Sequence, residues 1–297
     1  MQYTDIRFPH LGIVFSHVGR YIQIGNFQIM YYGVIIAIGF ILGLFMAQNE
    51  ANRTGQDKEL FLDFFLYMMI PAIIGARIYY VVFSWDYYKD HLGEIINLRQ
   101  GGLGVVGGVA ISALILYLFC KKRNYKMTKM MDCISMGLLV GQIIGRWGNF
   151  FNREAFGCYT DGPFAMQIPL KYFEQHNRLG ELASAGLLDH LKQVNVDGQM
   201  IDYIQVHPTF LYEGIGNLLI LCFILIYRKH KKFDGELICI YFMGYGFCRF
   251  LIEGLRTDQL IIGHTGIAAT QVVCVAIFIL GAVWTMLARR GSLAQRK

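Results

Sequence analysis

The chain has 297 residues, 55% of them apolar and only 16% charged, and the apolar residues lie in long blocks rather than at amphipathic spacing. That excludes a soluble domain with one core behind a charged shell, because several runs reach the roughly 20 apolar residues that cross a bilayer. The net charge of +6 gathers on no single face, so the basic residues speak of membrane orientation and not of nucleic-acid binding.

Residues 1–25 carry no signal-peptide pattern: Asp5 precedes the first basic residue, Arg7, and the apolar stretch from Leu11 to Phe15 is short and interrupted. Apolar runs bounded by charges then predict spans near 27–48, 60–84, 101–120, 130–147, 208–227, 237–255 and 265–288. The expected architecture is all-α, a polytopic membrane protein with about seven transmembrane helices forming a single integral membrane domain over 1–297. One long polar segment, about 148–207, interrupts it and is expected to be a small folded cap or a partly ordered loop. The seven cysteines include no Cys-x-x-Cys pair, so neither a disulfide framework nor a metal site is expected.

Lys and Arg set the orientation. They are dense in the first loop (Arg53, Lys58), the third (Lys121, Lys122, Arg123, Lys126, Lys129), the fifth (Arg228, Lys229, Lys231, Lys232) and the tail (Arg289, Arg290, Arg296, Lys297). The other side holds Arg7, Arg20, Lys89, Arg99, Arg153, Lys171, Arg178, Lys192 and Arg256 over a much longer length. The dense side is expected to be cytoplasmic, which places the N-terminus and the 148–207 segment outside and the C-terminus inside.

Three arginines, Arg77, Arg146 and Arg249, interrupt apolar spans, where an arginine costs about 2.5–3.5 kcal/mol at mid-helix. With this orientation all three fall in the outer thirds of their spans, at the depth of Tyr31 and Tyr32. Snorkelling would explain any one of them. As a set they come with polar partners: Tyr245, Arg249, Glu253 and Arg256 fall at i, i+4, i+8 and i+11, one helical stripe in which Glu253 can pair with both Arg249 and Arg256.

The densest constellation is Gly145-Arg146-Trp147-Gly148-Asn149-Phe150-Phe151-Asn152-Arg153-Glu154-Ala155-Phe156-Gly157, where the fourth span ends. Its arginine fork, amides, carboxylate and glycines suit a backbone that turns closely around an anionic ligand, beyond what a helix end requires. The run Gln100-Gly101-Gly102-Leu103-Gly104-Val105-Val106-Gly107-Gly108 suits helix packing or close approach to lipid. His207-Pro208-Thr209-Phe210-Leu211-Tyr212-Glu213 opens the fifth span, with His207 and Glu213 as helix anchors or as site residues.

These residues resemble the prolipoprotein diacylglyceryl transferase family, whose signature Gly145 to Gly157 matches. Tyr31-Tyr32-Gly33, Gly75-Ala76-Arg77, the glycine run, His207-Pro208, Leu211-Tyr212-Glu213, Gly244-Tyr245-Gly246, Arg249, Glu253 and Arg256 follow in the family's order. The resemblance implies transfer of the diacylglyceryl group of phosphatidylglycerol to the lipobox cysteine of a preprolipoprotein in the bacterial inner membrane, without metal or organic cofactor. It implies that Arg146 binds phosphatidylglycerol, that Asn149, Glu154 and Gly157 are functional signature positions, and that Tyr32, Tyr245, Arg249 and Glu253 are important. Arg146, Arg249, Glu253, Glu154 and Tyr32 are therefore the catalytic candidates. Asn149, Asn152, Gly157, Tyr245, Arg256, Arg77 and His207, with Arg146, are the substrate-binding candidates. Many family members carry a histidine where this chain has Val106, so the proton acceptor is open among Glu253, Glu154, Tyr32 and His207. A transporter for an anionic solute is the main rival reading, disfavoured by the absence of a visible repeat and by charges that favour one surface. An intramembrane protease would need a paired constellation that the sequence lacks.

Overall fold

The computed structural model describes residues 4–98, 101–263 and 265–294, with side chains as far as Arg290. Arg99, Gln100, Arg296 and Lys297 lie outside the described residues. In chain order the strands are β1 (Ile6–Phe8), β2 (Ile13–Phe15), β3 (Tyr21–Ile24), β4 (Phe27–Met30), β5 (Met166–Pro169), β6 (Lys192–Val196) and β7 (Gln199–Val206). The helices are α1 (Tyr31–Arg53), α2 (Glu59–Phe83), α3 (Trp85–Tyr88), α4 (Val105–Lys122), α5 (Met127–Asn152), α6 (Leu170–Gln175), α7 (Leu179–Ser184), α8 (Thr209–Tyr227), α9 (Glu236–Glu253) and α10 (Ala269–Ala294).

The expectation of a polytopic helical membrane protein holds. Among the described residues six helices, α1, α2, α4, α5, α8 and α10, are long and apolar enough to cross a membrane. The seventh long helix, α9, carries Glu236, Arg249 and Glu253 within 18 residues. It is sheltered by protein: Gly244 meets Ile220 of α8, and a Cβ at Gly246 would lie 2.8 Å from the Cys274 carbonyl oxygen of α10. The outer faces of the other helices are rich in exposed apolar side chains such as Ile41, Phe45, Leu219 and Leu280, the surface that lipid covers.

The chain forms two compact units, one of residues 1–43 and 135–297, the other of residues 44–134. In the second unit Ala51, Phe61, Phe64, Phe119 and Met130 form the core. There α2 and α4 approach so closely that a Cβ on Gly107 would strike the Gly75 carbonyl oxygen and Tyr79, so this part of the glycine run serves packing.

The first unit contains an antiparallel five-stranded sheet, ordered β2-β1-β5-β7-β6, and a separate hairpin of β3 and β4. Its core is Ile6, Phe8, Phe156, Ile168, Tyr172, Phe173 and Phe210 with their neighbours, and each large apolar side chain buried there contributes about 1.5–3 kcal/mol. The 148–207 segment is thus a folded cap, completed by N-terminal strands. Arg153, 1% exposed, ties the two together by donating to the carbonyls of Thr4 (2.6 Å) and Val18 (2.7 Å) while stacking on Tyr172 at 4.3 Å. The end of α5 is closed by Arg178, which donates to the carbonyls of Asn152 (3.3 Å) and Arg153 (3.2 Å).

Candidate active site

Within the first unit, the last turns of α5, the first turns of α8 and the last turns of α9 bring an unusual density of polar groups together. Gln142 and Arg146 stand one turn apart on α5, Glu213 and Asn217 one turn apart on α8, and Tyr241, Tyr245, Arg249 and Glu253 form a stripe on α9. Two ion pairs with buried carboxylates organise it. Arg146 pairs with Glu213 across the two helices, and Arg249 pairs with Glu253 at 2.5 Å one turn along α9. Glu213 and Glu253 are almost wholly buried, whereas Arg146 is 22% exposed at its side chain and so forms the accessible edge. Pairing offsets most of the cost of keeping these charges out of water.

Arg146 also links this cluster to the signature turn. The Tyr32 ring lies against Gly148, where a Cβ would stand 2.6 Å from Cδ2, and Tyr32 feels the charges of both Glu154 and Arg146. Glu154 is held in place by amide donors from Asn149 (3.0 Å) and Asn152 (3.3 Å). On the other side, Tyr245 stacks on Tyr241 at 5.6 Å and lies in the field of Glu213, Arg146 and Arg249. Tyr32, Asn149, Asn152, Glu154, Arg146, Tyr245, Arg249 and Glu253 therefore belong to one neighbourhood.

Several buried polar atoms there have no hydrogen-bond partner among the described residues: Arg249 Nη1, Glu213 Oε2, Gln142 Oε1, Asn152 Oδ1 and both amide atoms of Asn217. Gln142 uses its amide nitrogen on Tyr241 at 2.9 Å. An unmatched buried polar atom costs about 1–3 kcal/mol. Six in one cluster mark a place where water or a polar ligand belongs.

Four expected contributors commit their polar groups to other contacts. Arg77, in the second unit, spends its guanidinium on five backbone carbonyls, those of Ile95 (2.7 Å), Glu94 (2.7 Å), Asn97 (3.3 Å), Gly101 (3.0 Å) and Gly102 (2.8 Å). It organises a loop and has no fork left for a phosphate. Arg256 does not share Glu253: α9 ends at Glu253, so the i+11 register is broken, and Arg256 instead grips Asp258 bidentately at 2.8 and 2.6 Å. Burial acts to raise the Asp258 carboxyl, but the Arg256 hydrogen bonds outweigh it and hold it below the usual carboxylate range.

Gly157 stitches rather than binds. Its N–H donates to the His207 carbonyl at 2.9 Å, and a Cβ would stand 2.7 Å from the Leu255 oxygen. His207 lies 3.2 Å from the Tyr212 hydroxyl, and burial pushes its imidazole below the ordinary range.

The family model for prolipoprotein diacylglyceryl transferase matches residues 20–287. The chain belongs to the prolipoprotein diacylglyceryl transferase family. A phosphatidylglycerol–prolipoprotein diacylglyceryl transferase of Finegoldia magna is 39% identical over 262 residues, covering 88% of this chain and 92% of the relative. Proteins of the same name from Bacillus mycoides and Bacillus cereus are 37% and 36% identical over 276 residues, covering 93% of this chain and 94% of each relative. Sequence patterning within this family match gives no role to Gln142, Asn217 or Tyr241. The signal that finds them is the i, i+4 spacing of Gln142 with Arg146 and of Glu213 with Asn217 inside otherwise apolar helices.

Proposed function

We propose that this chain carries out its family's reaction, the first step of lipoprotein maturation, by moving the diacylglyceryl group of phosphatidylglycerol to the lipobox cysteine thiol of a preprolipoprotein. The product is a thioether, and glycerol phosphate leaves. The observation that carries the reading is the pair of partly buried arginines, Arg146 and Arg249, each held by a buried carboxylate and gathered around Tyr245.

The displacement concentrates negative charge on the departing phosphate. Cationic forks that hold more tightly as that charge grows lower the barrier, and they act strongly where little water screens them. Arg249 Nη1 is an unused donor, and Arg146 is the reachable fork. Bidentate contact by Arg146 and Arg249 orients the ester so that its glycerol carbon faces the thiol. Glu154, steadied by Asn149 and Asn152, sets the charge opposite Arg146 that Tyr32 feels. The reaction balances without a cofactor.

The basic loops support an orientation with the N-terminus and the cap outside the inner membrane and the C-terminus in the cytoplasm, the 297 residues acting as one transferase domain. The experiment is mass spectrometry of a lipobox peptide incubated with purified protein and phosphatidylglycerol. A gain of one diacylglyceryl unit is expected; an unmodified peptide would overturn the reading.

A further inference from the structure

The acceptor of the thiol proton is open among Glu253, Glu154, Tyr32 and His207, and the structure occupies each of them. Glu253 is bound to Arg249 at 2.5 Å, Glu154 accepts from two amides, His207 is engaged with Tyr212, and a phenol is a weak base at neutral pH. Val106, 62% exposed, has no group that takes a proton.

Glu213 shares with Glu253 its burial and its pairing with one arginine, but its second oxygen, Oε2, lies outside the ion pair and has no hydrogen-bond donor among the described residues. It is 1% exposed, and its only ion-pair partner there is Arg146. It lies within electrostatic reach of Tyr241, Tyr245, Cys248 and Arg256. Its partner Arg146 is the more exposed of the two arginines that the functional reading gives to the lipid phosphate. A guanidinium that turns to a phosphate leaves its former carboxylate buried, beside new negative charge, with less cation to balance it. Taking up a proton is how such a group remains buried.

We propose that Glu213 is the general base, exchanged out of its pair with Arg146 by the arriving lipid phosphate and thereby made ready to take the thiol proton. This inference rests on the functional reading above. The step balances within the two substrates. The S–H proton goes to Glu213, the sulfur pair forms the S–C bond at the glycerol carbon, and the C–O bond to phosphate breaks with its pair on the leaving oxygen. Glu213 then returns its proton to the departing phosphate and recovers Arg146. The base is thus armed only when lipid is bound.

The test compares acceptor peptides containing cysteine or selenocysteine, whose selenol is ionised at neutral pH and needs no base. Glu213→Gln keeps a hydrogen-bond acceptor for Arg146. It is expected to lose at least about 100-fold in kcat with the cysteine peptide, to retain phosphatidylglycerol binding, and to recover to within about tenfold of the parent with the selenocysteine peptide. Equal loss with both peptides in a folded, lipid-binding variant means that Glu213 only positions Arg146 and overturns the proposal; so does full activity with cysteine. Should Glu213→Gln fail to fold, the same selenium-to-sulfur rate ratio is read on Glu213→Asp, where a rise supports the base and an unchanged ratio overturns it. A parent enzyme inactive with both peptides would instead sink the functional reading.

Discussion

Arg77 and Arg146 both interrupt apolar helices, and from sequence the two look alike. In the second unit Arg77 is 7% exposed and saturated by backbone carbonyls, with the rings of Tyr88 and Tyr80 5.1 and 6.0 Å away. In the first unit Arg146 pairs with a carboxylate, and the groups around it hold unmatched polar atoms. An arginine bonded to carbonyls is committed, because no ligand competes with five fixed acceptors. One bonded to a single side-chain carboxylate is exchangeable, because an anion replaces like with like. The partner, and not the depth in the helix, separates a structural arginine from a working one.

The sharpest way to break this contrast is to remove each kind in turn. Arg249→Ala and Arg146→Ala are expected to lower kcat/KM with phosphatidylglycerol and lipobox peptide by about 10²–10³-fold, the scale of a lost charge-stabilising donor, with Lys at either position giving only partial recovery because it lacks the fork. Activity assays on folded, purified variants decide it, and near-normal rates would remove the arginines from the chemistry. Arg77→Met is expected to do the reverse. It strands five acceptors and destabilises by on the order of 3 kcal/mol, lowering the thermal midpoint, while kcat per folded molecule stays within about twofold, below the roughly 0.6 kcal/mol of RT. A large kcat defect at normal stability would place Arg77 back among the binding residues.

The helices were legible because membrane crossing demands long apolar runs, and the predicted spans overlap all seven long helices. The first span was placed too early: residues 27–30 are β4, an apolar strand that composition cannot separate from the helix it abuts. The sheet was not legible, because its strands are three to eight residues long and pair across the chain, as Arg7 does with Gln167. The arginine and signature residues stood out because charge inside an apolar run is costly. The Arg256 pairing differs from the expected one for another reason: helical spacing brings Arg256 to Glu253 only where the helix continues, and α9 stops at Glu253. Glu213 carried a visible charge, but its partnership with Arg146 is a contact between α5 and α8, which no periodicity within one helix reveals.

Smaller effects sharpen the contrast between stitching and binding. Gly157→Ala is expected to cost about 1–3 kcal/mol through overpacking against Leu255 and His207, read as a fall in thermal midpoint. Phosphatidylglycerol KM should stay unchanged, because loss of folded protein lowers the apparent kcat and leaves KM as it was. A KM effect at unchanged stability would give this glycine a direct role in binding.

The weakest expected effect concerns Arg256 and Asp258. A carboxyl held below its unfolded value, about 3.9, binds fewer protons folded than unfolded. Its stabilisation is therefore present in full above that value and is lost as pH falls through the folded one. The Asp258 side chain is 53% exposed, so solvent screening limits the contribution to about 1 kcal/mol or less. Asp258→Asn should melt slightly below the parent at pH 7, and the gap should close as the pH approaches 3. Thermal melts at the two pH values test this. A gap that persists in acid would mean that the aspartate acts through packing and not through its charge on Arg256, whereas a large loss of phosphatidylglycerol turnover at pH 7 would show that this arginine is as exchangeable as Arg146.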